Sequence, residues 1–156
     1  MSTSFSYKIR ELEIGDVPMV VELGHKSFTD KTLPLLHQTW GEAEVLNNYT
    51  SEPEFCLVAE SRKKIIGFTL GTLMMPAQPT RTIKPYGWLL WIAVSPRHQT
   101  NGIASKLTDK LAQRFKRAGA GFVLANSDET NEAAVGFFRS NKFNGTARHV
   151  YLTRQL

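Results

Sequence analysis

The amino-acid sequence predicts an α+β fold built on one mixed, mostly antiparallel sheet. Three observations carry that prediction. Two apolar segments flank the turn Ser61-Arg62-Lys63 and read as a hairpin. Ile103, Leu107, Leu111 and Phe115 recur at every fourth position, which gives a helix one core-facing stripe. Phe122-Val123-Leu124-Ala125 is a short unbroken apolar run, as expected of a strand covered on both faces. In chain order the elements read strand, two helices, three antiparallel strands, helix, strand, helix, strand.

Each element has its own signal. Residues 7–12 alternate weakly, as in a half-buried first strand. Asp16 reads as an N-cap with Pro18 in the first turn, and Val17, Val20, Val21, Leu23 and Phe28 form the stripe behind it. Residues 29–34 are a polar turn region. Residues 35–49 continue in a less regular helical pattern, with Trp40 and Tyr49 as large side chains that no stripe fixes. Residues 54–60 and 64–75 are the hairpin strands, and Gly67 and Gly71 in the second mark a bulge or a close backbone approach. Pro76, Pro79 and Pro85 make 76–85 a loop, which leads into a strand at 86–94. The striped helix runs from about 102 to 117 and is ended by Gly119 and Gly121. A helix from Asn131 and a last strand around 149–153 complete the order.

Composition narrows the function classes. The 156 residues fit one domain, 1–156, and are enough to bury a continuous core. No apolar run reaches the ~20 residues of a membrane helix, and the first residues lack a secretory pattern, so a cytoplasmic protein without a membrane partner is expected. A single cysteine, Cys56, lies in an apolar strand and reads as a core hydrophobe. His25, His37, His98 and His149 show no metal-ligand spacing, so no metal site is expected. A net charge of +5 raises a nucleic-acid reading. However, Lys106, Lys110, Arg114, Lys116 and Arg117 lie on the polar side of one helix, and the aromatic-plus-basic pattern of nucleic-acid modules is missing. No nucleic-acid partner is expected. The same charges can attract a polyanionic small molecule.

The most informative stretch is Ile92-Ala93-Val94-Ser95-Pro96-Arg97-His98-Gln99-Thr100-Asn101-Gly102-Ile103-Ala104. An apolar strand ends in a short polar loop, and a glycine opens the next helix. Such a junction leaves several N–H groups unpaired at a helix N-terminus, where the dipole favours negative charge. Gly102 has no Cβ to keep a phosphate away from the backbone.

The spacing Gln99-x-x-Gly102-x-Ala104 after this strand end resembles motif A of the GNAT superfamily of N-acetyltransferases. Downstream, Asn131-Glu132-Ala133-Ala134-Val135-Gly136-Phe137-Phe138-Arg139-Ser140-Asn141-Lys142-Phe143 resembles the family's Asn-x-x-Ala-x-x-Phe-Tyr-x-x-x-Gly-Phe. The specific resemblance covers roughly residues 86–143, and the rest of the chain agrees in element order.

The resemblance implies a GNAT-like mixed sheet flanked by helices on both faces. Its fourth strand would splay from its fifth after about Ile92. It also implies acetyl-CoA as co-substrate. The amides of Gln99, Thr100, Asn101, Gly102, Ile103, Ala104 and Ser105 would grip the pyrophosphate, and the strand end Ile92, Ala93 and Val94 would bond the pantetheine arm. A free N–H of Ile92 or Val94 would polarise the thioester carbonyl. Asn131 would bond the same arm, with Phe137 and Phe138 along it near the sulfur. Trp40 and Tyr49 would line the acceptor groove or pack beneath their helix. Pairing of two copies into a homodimer is common in the family.

Two departures stand out. Phe138 replaces the tyrosine that protonates the departing thiolate, and Lys142 replaces a helix-ending glycine, a role that Asn141 can take in the left-handed conformation. Positions where members carry a basic glutamate hold Trp88 and Asn126 here. Asp128 and Glu129 are the nearest carboxylates, and they serve either as base or to acidify the following helix start. Water on Asn126 or Ser127 is another proton route, and an acceptor amine of low pKa needs no base. The function expected is acetyl transfer to a primary amine, on a small molecule or a protein N-terminus. The alternatives are an acyl-CoA sensor without turnover, and a basic nucleic-acid-binding domain.

Overall fold

The computed structural model of the protein describes residues 5–28, 40–78, 80–150, 152 and 154–156. The elements are β1 (Lys8–Glu11), α1 (Val17–Ser27), α2 (Glu42–Ser51), β2 (Cys56–Ser61), β3 (Lys64–Met74), β4 (Tyr86–Val94), α3 (Ile103–Arg117), β5 (Val123–Ala125) and α4 (Glu132–Ser140). The strands form one sheet in sequential order. Neighbours are antiparallel except β4 and β5, which run parallel. The expected order therefore holds through α4. Of the last strand expected around 149–153, residues 149, 150 and 152 are in no strand, while 151 and 153 lie outside the described residues. Val150 and Leu152 are exposed, so their alternation has no apolar surface to bury against. The expected turn at 29–34 and the start of the second helix, through 39, also lie outside the described residues. No helix among the described residues is long and apolar enough to cross a membrane.

Both faces of the sheet are covered. On one, Val20 and Leu23 of α1 and Val45 of α2 meet Phe68, Leu70 and Trp91. On the other, the predicted stripe Ile103, Leu107, Leu111 and Phe115 of α3 meets Leu57, Leu89 and Val94, with Phe138 of α4 packed against the group. The four stripe residues are fully buried, and each contributes about 2 kcal/mol by leaving water.

The glycines of the central strands make room for this packing. A Cβ on Gly87 would lie 2.2 Å from the Phe115 ring, and one on Gly71 would lie 2.7 Å from it. The two glycines together form a slot in β3 and β4 for that ring. Gly71 also borders a register shift, as its position in the sequence implied. In α1, Gly24 lies against the Trp40 indole, which a Cβ would approach to 2.1 Å. Trp40 Nε1 donates to the Val21 carbonyl at 3.0 Å, and its ring centroid lies 5.0–5.1 Å from those of Phe28, Phe68 and Trp91. Trp40 is thus a core residue rather than a groove wall, and Tyr49 packs partly buried against the same cluster.

The chain turns also show how the sequence acts locally. Asp16 occupies the N-cap position of α1, but its carboxylate turns back. It accepts from the Glu13 N–H at 2.8 Å and from Arg10 at 2.6 and 3.0 Å. Arg62 and Lys63 both have positive φ, the twist that a two-residue hairpin loop needs. α3 ends on Gly119 at φ 93°, with the Ala120 N–H bonded to the Phe115 carbonyl at 3.0 Å. At the end of α4 the expected roles are exchanged. Asn141 has φ −99° and donates from Nδ2 to the Phe137 carbonyl at 2.8 Å, while Lys142 takes the left-handed conformation at φ 72°. The amide is worth more as a donor to the last helical carbonyls than as the left-handed residue. That leaves Lys142 in a conformation that costs about 1 kcal/mol for a residue with a Cβ.

Candidate active site

The site is organised by β4, which stays paired with β3 from Tyr86 to Val94. Its parallel pairing with β5 covers only Gly87↔Val123, Trp88↔Leu124 and Leu89↔Ala125. The open edge therefore starts at Leu90, earlier than the expected separation after Ile92, because β5 is only three residues long. At the same point Leu70 faces Trp91 and Gly71 faces Leu89, so Leu90 is an extra, bulged residue. The bulge changes the phase of the strand. Gly87 and Leu89 face α3 before it, Ile92 and Val94 face α3 after it, and both Leu90 and Trp91 pack towards α1 and α2. Trp91 Nε1 donates to Glu44 Oε1 at 3.0 Å and so ties this part of β4 to α2.

The loop after β4 leads directly into α3. Thr100 and Gly102 both have positive φ, 68° and 71°, the left-handed conformation found in backbone turns that bind anions. The N–H groups of Ile103, Ala104 and Ser105 are in the first turn of α3, where no intrahelical partner exists. Among the described residues, none accepts a hydrogen bond from any amide between Gln99 and Ser105. The loop's own side chains bond elsewhere. Gln99 Nε2 donates to the Val94 carbonyl at 3.1 Å, and Asn101 Nδ2 donates to the carbonyls of His98 and Gln99 at 3.1 and 3.2 Å. These bonds rigidify the loop without consuming its donors. Space for a Cβ on Gly102 is open. His98 points away from this role, with its ring stacked on Phe5 at 5.4 Å.

On the far side of the split, Asn131 is the N-cap of α4, its Oδ1 accepting from the Ala134 N–H at 3.2 Å. The Phe138 ring packs edge-on to Phe137 and Phe143 at 5.3 and 5.1 Å. The Asp128 carboxylate accepts from the hydroxyl and amide of Thr130 at 2.6 and 2.8 Å, bonds that hold it below the usual carboxylate range. Glu129 forms an exposed ion pair with Arg148 at 3.3 Å. One contact escaped the sequence reading: Trp88 Nε1 donates to Asn126 Oδ1 at 3.0 Å, joining β4 to the residue just after β5. Its only signal was that both positions lack the family's glutamate. Cys56 is buried, and burial pushes its thiol up to about 12. Among the described residues no three His, Cys, Asp or Glu side chains gather as metal ligands do.

The arrangement offers a loop of unengaged amides at one end of an open strand edge and polar side chains at the other. A family model described as the acetyltransferase (GNAT) family matches residues 20–143. No curated protein matches the sequence. Among solved structures, the chain is similar to an aminoglycoside N-acetyltransferase in complex with CoA, at 14% identity and TM-score 0.78, covering 100% of this chain and 99% of that one. It is similar to an aminoglycoside acetyltransferase from an uncultured soil metagenomic sample in complex with sisomicin, at 22% identity and TM-score 0.74, covering 96% of each. The NatC complex bound to Gag peptide and CoA follows at 16% identity and TM-score 0.71, covering 86% of this chain and 82% of that one. At these identities the likeness is one of fold.

Proposed function

The chain belongs to the acetyltransferase (GNAT) family, and from that premise we propose that it moves an acetyl group from acetyl-CoA directly to a primary amine. The observation that carries this reading is the row of unengaged amides from Gln99 to Ser105, set at the start of α3 and at the mouth of an unpaired strand edge. The amides of Gln99, Thr100, Asn101, Gly102, Ile103, Ala104 and Ser105 bind the pyrophosphate. The open edge of Ile92, Ala93 and Val94 bonds the pantetheine arm. Asn131, whose Oδ1 serves the helix, has its Nδ2 left for the same arm, and Phe138 lies along it. Structures of the same fold that hold CoA support acetyl-CoA as the donor.

In the reaction the amine nitrogen attacks the thioester carbon, the developing oxyanion is met by a free N–H of Ile92 or Val94, and the C–S bond then breaks. Phe138 has no hydroxyl to give, so the thiolate leaves as such or takes a proton from water; a thiol of ordinary pKa near ~8.5 permits this. Of the two carboxylates close to the end of β5, Asp128 is weakened as a base because Thr130 stabilises its charge. The amine's proton goes to Asp128, to Glu129 or to solvent. The acceptor is a small-molecule or peptide amine, and such acceptors accompany the structures of this fold. Phe138 also favours a second reading, in which the same site binds acyl-CoA without turnover.

Acetyl-CoA at a hundred times its Kd is expected to stabilise the protein by about 2.7 kcal/mol, read as a raised Tm. Gly102→Val, which puts a branched side chain at φ 71°, removes that shift. An unchanged Tm at millimolar acetyl-CoA refutes the proposal. CoA release with a panel of amines excludes the binding-only reading.

A further inference from the structure

Where β4 and β5 begin to part, their side chains still touch. Trp88 precedes Leu89 and Asn126 follows Ala125, so the bond between them flanks the last backbone pair of the split. It lies on the α1/α2 face. Gly87 and Leu89 face α3, and strand alternation puts Trp88 on the opposite side, next to Leu90, which packs against the α1/α2 cluster. The anion-binding loop is at the other end of the open edge, about 16 Å of strand away from Leu89. A pantetheine arm laid along that edge from the loop runs towards this pair, so that an acceptor meeting the thioester at Ile92 lies between the two.

Chemistry fixes how Asn126 is oriented. An indole N–H only donates, so the atom it meets must be the amide oxygen and not the amide nitrogen. With Oδ1 turned to the indole, the exposed Asn126 keeps both N–H donors of its NH2 group unpaired, beside the second lone pair of Oδ1. Among the described residues nothing accepts from that group. A neutral amide is no base for an amine or a water. Its two unpaired N–H groups are donors for an oxygen.

Resting on the reading of the chain as an amine acetyltransferase, we infer that Trp88 and Asn126 select the acceptor. Asn126 donates to an oxygen that the acceptor carries on a carbon close to its reacting amine, and Trp88 is the positioning residue that keeps the amide in that orientation. The class of acceptor is an amine with a neighbouring hydroxyl or carbonyl. An oxygen-free diamine leaves the amide donors unpaired and brings a second ammonium against them.

Steady-state kinetics with glucosamine, glycinamide and putrescine test this, the first two probes separating a sugar hydroxyl from a peptide-like carbonyl. The unaltered protein is expected to prefer at least one oxygen-bearing amine to putrescine by about tenfold in kcat/KM, the worth of one hydrogen bond. Asn126→Asp, equal in shape but without a donor, abolishes that preference through the acceptor KM and leaves the acetyl-CoA KM unchanged. Trp88→Phe, which frees the amide to turn, lowers the same ratio in part, again with the acetyl-CoA KM unchanged. The inference is overturned if putrescine serves as well as both other amines, or if Asn126→Asp leaves the ratio intact. If no amine is turned over while acetyl-CoA still raises the Tm, the acetyltransferase reading falls, and this inference with it.

Discussion

Arg10 shows how much one side chain can hold. Its guanidinium bonds Asp16 at 2.6 and 3.0 Å and Glu60 at 2.6 and 2.7 Å, joining β1 to β2 and to the turn before α1. Asp16 is buried, and its pairing with Arg10 holds its carboxyl below the usual range; Glu60 is held down by the same partner. Because these folded-state pKa values are lowered, the stabilisation is complete above the unfolded carboxylate pKa of about 4 and is lost as pH falls through the folded values. Arg10→Met leaves a buried carboxylate without its cation and costs about 2 kcal/mol at pH 7, measured by urea denaturation. The same variant is expected to lose less stability than the parent on acidification, since the paired carboxylates no longer favour the ionised fold. An identical acid slope in both proteins contradicts this account.

At the scale of the element, the packing of α3 on the sheet depends on what β3 and β4 lack. Phe115 occupies the slot left by Gly71 and Gly87 and lies 4.6 Å from Phe55, ring to ring. Gly87→Ala places a methyl group 2.2 Å from that ring, and neither the strand nor the buried helix can yield freely. The variant is expected to be destabilised by about 3 kcal/mol by thermal or urea denaturation, with cleavage of the β4–α3 connection by protease as a second readout. The periodic part of such packing was legible from sequence, because burial imposes a period of 3.6 on α3 and of 2 on the strands. The bulge was not. Leu90 and Trp91 are both apolar, and a phase change between two apolar residues leaves no mark in a hydrophobic pattern. The partners of Trp40 and Asn141 were hidden for a different reason: each choice depends on atoms that only the folded chain brings near, Gly24 and Val21 for Trp40 and the last carbonyls of α4 for Asn141. The loop from Gln99 to Ser105 was readable in advance because a strand, a glycine and a helix start define it locally.

At the scale of the whole molecule, two packed clusters share one sheet, and the open edge of β4 lies between the layer of α3 and a layer that faces α1 and α2. The net charge of +5 adds a long-range attraction for a polyanion such as CoA. Raising ionic strength from about 0.05 M to about 0.5 M is therefore expected to raise the KM for acetyl-CoA several-fold and to leave kcat nearly constant. A KM that ignores salt assigns binding to the loop amides alone. The extra residue at Leu90 has a consequence for how such a protein can diversify. It uncouples the two ends of β4, so that on the proposed reading mutations upstream of it reshape what is acetylated while the downstream half keeps its grip on the donor. One strand would then carry a variable reader and a constant one in series, with the bulge as the joint between them.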